Sequence, residues 1–134
     1  KHILLPTDGS DLSLRAVTAG IELAKTLNAK VTGLFVSEAT YISTIDEQSN
    51  PRADAALAEV AQRAKEAGVA SACISMLGDT PQDAIVRIAN DEGCDLIIMG
   101  THGRSGVSRI LLGSVTQKVW HHAPCPVMAT TACI

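Results

Sequence analysis

The chain is 134 residues long, carries a formal net charge of -3 and is only 2% aromatic. That length suits one domain with a workable core, while the shortage of rings argues against a site that stacks single-stranded bases and the acidic balance argues against nucleic acid as a partner. No apolar run approaches the roughly 20 residues of a membrane span, and Lys1–Pro6 is too short for a signal peptide.

His2–Pro6 reads as a buried strand. Ser10 then caps a helix whose apolar face is Ala16, Val17, Gly20, Ile21, Leu23, Ala24 and Leu27, ended by Asn28-Ala29. Lys30–Val36 is a second strand, and Ser37–Pro51, polar and without a period, reads as a loop. The next helix presents Ala53, Ala56, Leu57, Val60, Ala61 and Ala64, with Gly68 placed for a left-handed C-terminal residue. Val69–Leu77 is a third strand. Thr80 caps a third helix with Pro81 in its first turn, Ile85, Ile88 and Ala89 on its apolar face and Gly93 at its end. Cys94–Met99 is a fourth strand, a glycine-rich loop follows, a last helix runs over Ser114–His122, and Pro124–Thr130 is a fifth strand.

Continuous apolar strands alternating with amphipathic helices predict an α/β fold: a doubly wound, five-stranded parallel sheet with helices on both faces, in one domain spanning 1–134. Right-handed crossovers give the order 3-2-1-4-5. Ligands of such sheets bind at the carboxyl ends of the strands where the order reverses, here between strands 1 and 4. The loops leaving those strands are Pro6-Thr7-Asp8-Gly9-Ser10 and Gly100-Thr101-His102-Gly103-Arg104.

The second loop carries the clearest chemical signal. Gly100, Gly103, Gly106 and Gly113 are packed into a short stretch, where glycine lets a ligand approach the backbone. Ser114 can cap the final helix while its own amide and those of Val115 and Thr116 face outward, an arrangement that attracts phosphate. No acidic residue follows Asp95, whereas Arg104, Arg109, Lys118, His102, His121 and His122 all do. This segment reads as one from which carboxylates are excluded because an anion binds there. Neither G-x-x-x-x-G-K-[ST] nor G-x-G-x-x-G is present, which disfavours a P-loop enzyme and a standard dinucleotide site. Asp8 ends the first strand at the switch point and is a candidate site residue; the alternative is that it only helps cap the first helix. Asp11 and Ser13 read as first-turn helix residues, His102 as a solvent-facing loop residue, His121-His122 as the polar end of the last helix, and Trp120 as a packing residue. Cys73, Cys94, Cys125 and Cys133 have no C-x-x-C spacing and read as reduced thiols of a cytoplasmic protein.

The motif Gly100-x2-Gly103-x9-Gly113-Ser114 resembles the G-2x-G-9x-G-(S/T) signature of the ATP-binding universal stress proteins. The flanking Pro6-Thr7-Asp8-Gly9-Ser10, Asp95–Gly100 and His122-Ala123-Pro124-Cys125-Pro126-Val127 extend the likeness over nearly the whole chain. The resemblance implies an adenine nucleotide alpha hydrolase-like fold with ATP as ligand, and places adenine at Pro6, Thr7, Val36 and Met99. It gives Asp8 the ribose or a metal, and gives Gly100, Gly103, Gly113, Ser114, Val115 and Thr116 the ribose and phosphates. Arg104 adds a cation there, and Mg2+ or Mn2+ would travel with the phosphates. It further implies a homodimer joined through Pro126–Thr130. The main departure is Phe35, where many members carry histidine. Three functions compete: a regulatory module that binds ATP with slow or no hydrolysis, a metal-assisted ATPase or phosphotransferase using Asp8, and a flavodoxin-like electron carrier, which the lack of aromatics disfavours.

Overall fold

The structure is a computed structural model that describes residues 1–38, 51–78, 80–100 and 114–130. Its elements run β1 (His2–Pro6), α1 (Asp11–Leu27), β2 (Lys30–Glu38), α2 (Pro51–Ala67), β3 (Ser71–Gly78), α3 (Pro81–Asp91), β4 (Leu96–Gly100), α4 (Ser114–His122) and β5 (Val127–Thr130). The sheet has the order β3-β2-β1-β4-β5, and every neighbouring pair is parallel. The predicted fold class and strand order are therefore the observed ones. Among the described residues no helix is long and apolar enough to cross a membrane.

Strand alternation divides the core in two. Ile3, Leu5, Val31 and Ile98 face α1 and α2, meeting Ala16, Val17, Ile21, Ala24, Val60 and Ala64. Leu4, Leu34, Ile97 and Met99 face α3 and α4, meeting Ile85, Ile88, Ala89 and Val119. Because both faces of the central strands β1 and β4 are covered, these strands read as apolar runs rather than as an alternation. Gly33 sets how close α2 comes to the sheet: a Cβ there would stand 2.9 Å from Val60 Cγ1.

Strands 3 and 4 begin later than the sequence suggests, and the helix ends explain why. Asn28, Gly68 and Gly93 all adopt positive φ. Each is followed by a residue whose amide reaches back into the helix: Ala29 to the Ala24 carbonyl, Val69 to Ala64 and Cys94 to Ala89. This paired closure satisfies the last carbonyls of a helix. It takes Val69 and Cys94 out of the strands predicted to start with them, so β3 opens at Ser71 and β4 at Leu96. At the other end β2 extends to Glu38, paired with Gly78. The fifth strand is shorter than expected because Pro124 and Pro126 cannot donate to a ladder; the Pro126 carbonyl still accepts from the Ile97 amide at 3.0 Å.

Candidate functional site

β1 pairs with β2 along its whole length, from His2↔Lys30 to Pro6↔Leu34. With β4 it pairs only at Ile3↔Leu96 and Leu4↔Ile97. Proline explains where the second ladder stops. Successive residues of a strand turn their amides to opposite neighbours, and Thr7 donates to the Leu34 carbonyl on the β2 side at 2.9 Å. Residue 6 therefore faces β4, and Pro6 has no N–H to give. The ladder between β1 and β4 thus ends short of their carboxyl ends, which is where the strand order reverses and a ligand is expected. Pro6, Thr7 and Met99 line this region as buried residues, while Val36 and Gly100 are half-buried.

The loop from β1 to α1 is held by its own side chains. The Asp8 carboxylate accepts from the Ser10 amide at 2.9 Å, and the Thr7 hydroxyl accepts from the Gly9 amide at 3.1 Å. Gly9 takes φ +83°, which suits glycine. The Ser10 hydroxyl caps α1 by accepting from the Ser13 amide at 3.2 Å. Buried Ser13 donates to the Ser10 carbonyl at 3.0 Å and shares a 2.8 Å hydroxyl contact with Thr7. Burial raises the Asp8 carboxyl, but the neighbouring Ser10 hydroxyl and amide, with the Ser13 hydroxyl, favour its charged form more strongly, so the group lies below the ordinary value of 3.8. Asp8 is an anion at neutral pH. Ser10 is the N-cap of α1, and Asp8 holds the amide of that cap from the loop side.

α4 begins at Ser114. Ser114 is thus its first helical residue and not the cap predicted for it. Buried Thr116 donates its hydroxyl to the Gly100 carbonyl at 3.0 Å, which ties the start of α4 to the end of β4. Ser114 is exposed and Val115 half-buried. Gly103, Arg104 and Gly113, together with His102, Gly106 and Arg109, lie outside the described residues. The structure therefore brings together Pro6, Thr7, Asp8, Val36, Met99 and Gly100 at the carboxyl end of the sheet, with Thr116 fastened to Gly100.

Two residues were not legible from the sequence. Arg52, the second residue of α2, donates to the Asp8 carbonyl at 3.0 Å and covers the Phe35 ring at 5.9 Å from its centroid. Ser13, read as an ordinary first-turn residue, is a buried partner of Thr7. No local pattern announces the first contact, because its partners are 44 residues apart; the spacing of Thr7 and Ser13 across a helix start could have suggested the second. Trp120 departs from its expected packing role: it is 57% exposed on α4. His121 and His122 are exposed in the last turn as predicted. Cys73, Cys94 and Cys125 are free thiols, with Cys94 pushed up to about 11, chiefly by burial.

The universal stress protein family model matches residues 1–131. A universal stress protein of Methanocaldococcus jannaschii is 38% identical over 137 residues, covering 96% of this chain and 80% of the relative. The solved universal stress protein of Lactobacillus plantarum superposes with a TM-score of 0.81 at 27% identity, covering 96% of each chain. A universal stress protein solved in complex with cAMP superposes with a TM-score of 0.78 at 29% identity, covering 97% of this chain and 96% of that one. Sequence relationship over almost the full length and superposition on solved members lead to the same conclusion: this chain belongs to the universal stress protein family.

Proposed function

We propose that the chain is an adenine-nucleotide-binding regulatory module of the cytoplasm that takes ATP and hydrolyses it slowly or not at all. The observation that carries this reading is the short β1–β4 ladder, which opens the carboxyl end of the sheet between the anionic Asp8 loop and the start of α4. In this reading adenine lies against Pro6, Thr7, Val36 and Met99, and Asp8 meets the ribose. The phosphates lie along Gly100, Gly103, Gly113, Ser114, Val115 and Thr116, with Arg104 beside them. The relative that binds cAMP supports an adenine nucleotide as the ligand class.

One observation favours a metal-assisted variant of this reading, with ATPase or phosphotransferase activity: Asp8 is ionised and could meet a divalent cation. The described residues contain no group of three or more histidine, cysteine, aspartate or glutamate side chains that could hold one. Mg2+ or Mn2+ would therefore be carried by the nucleotide phosphates, with Asp8 as the protein's contribution. Steady-state phosphate release separates the two readings. Turnover above about 1 per second, within the usual enzyme range, contradicts the regulatory module. The nucleotide itself is tested by denaturing purified protein and identifying what is released by mass, with an adenine nucleotide expected.

A further inference from the structure

Asp8 is held from two sides. Its carboxylate is fixed within the loop by the Ser10 amide, and its carbonyl is held from outside the loop by the Arg52 guanidinium at 3.0 Å. The platform for that guanidinium is firm: Phe35 lies under it and is buried with Ala53, Ala56 and Leu57. The same helix face closes on the next residue of the loop, since a Cβ on Gly9 would stand 3.6 Å from Ala56 Cβ. The first turns of α2 therefore grip the Asp8–Gly9 peptide through a charged hydrogen bond and a van der Waals contact. Such hydrogen bonds are shorter and stronger than neutral ones, yet this one lies at the surface, where single substitutions move global stability little.

Resting on the nucleotide reading above, we propose that Arg52 is a positioning residue for the nucleotide site, fixing the Asp8–Gly9 peptide against α2 and thereby the carboxylate assigned to the ribose. It acts through Asp8 and does not touch the phosphates.

The test combines amide hydrogen exchange without ligand and calorimetric titration with ATP, AMP and adenosine. It uses wild type, Arg52→Ala, Arg52→Lys, Asp8→Ala and the Arg52→Ala/Asp8→Ala double variant. Arg52→Ala is expected to speed exchange of the Ser10 amide by about tenfold and leave the core of α1 unchanged, the mark of a local opening. Affinity should fall by about three- to tenfold, by the same factor for all three ligands. Lysine should restore part of the loss, and the double variant should bind no more weakly than Asp8→Ala alone. An unchanged Ser10 amide in Arg52→Ala overturns the proposal whether or not nucleotide binds. A loss graded from ATP through AMP to adenosine also overturns it, because Arg52 would then be contacting phosphate. Faster Ser10 exchange in a protein whose wild type binds none of the three ligands supports the grip on the loop and overturns the nucleotide reading instead.

Discussion

Burial works against a charged Asp8, and the Ser10 hydroxyl and amide and the Ser13 hydroxyl work more strongly for it. Two outcomes follow at this residue. Asp8→Ala should weaken ATP binding by about tenfold or more, the equivalent of ~1.4 kcal/mol. Asp11→Ala, an exposed first-turn position, should change it little; calorimetry on both variants checks this, and equal small losses would contradict a binding role for Asp8. The second outcome concerns pH. A carboxyl held below its ordinary value in the folded state contributes stability above its unfolded value of about 3.9 and loses that contribution as pH falls through the folded value. Wild type should therefore lose more stability than Asp8→Asn when taken from about pH 5 to about pH 2, as read by urea unfolding at each pH. Parallel curves would mean that the hydrogen bonds around Asp8 do not favour its charged form.

At the scale of elements, β2 and α2 fit closely, and Gly33 leaves little room above it. Val60 is fully buried and stiff at χ1 because it is β-branched. It cannot easily move from a Cβ that would stand 2.9 Å away. Gly33→Ala should destabilise the fold by ~1–3 kcal/mol, the usual cost of overpacking. A Val60→Ala change in the same chain should cost less than it does alone; additive losses in urea unfolding would show that the two residues do not compete for space.

Element order, sheet order and the switch point were legible because each rests on local pattern: apolar runs, helical period and turn residues. What escaped was non-local. Arg52 reaches the Asp8 carbonyl from another helix, and the Thr116 hydroxyl reaches Gly100 across 16 residues of sequence. The two late strand starts were misread for a physical reason as well. Val69 and Cys94 are apolar, as a strand residue would be, but their amides belong to the helix ends before them. Of the candidate nucleotide residues, Pro6, Met99 and Gly100 lie at the carboxyl ends of β1 and β4. The glycine loop between β4 and α4 rests on its motif alone.

For the molecule as a whole, β5 is an edge of the sheet. An apolar, unpaired edge invites another chain, and Met128 on it is 46% exposed. We propose that two copies pair antiparallel through Val127–Thr130, closing both edges around a two-fold axis. Val127 packs against the core, so a lysine there would disturb folding as well as assembly; Met128→Lys is the cleaner change. Light scattering after size exclusion should find a dimer for wild type at micromolar concentration and a marked shift to monomer for Met128→Lys. A monomeric wild type, or a variant that stays fully dimeric, would place the interface elsewhere or remove it.

On the proposed function, the crevice between β1 and β4 holds an adenine nucleotide whose phosphates rest at the start of α4. The most direct test is calorimetric titration of nucleotide-stripped protein with ATP, wild type beside Gly113→Val. The valine adds bulk where the motif needs backbone approach, and circular dichroism establishes that the variant is folded. Wild type should bind one ATP per chain, and the folded variant should show no measurable binding. No heat with wild type at millimolar ATP, or unchanged affinity in a folded Gly113→Val protein, would contradict this reading.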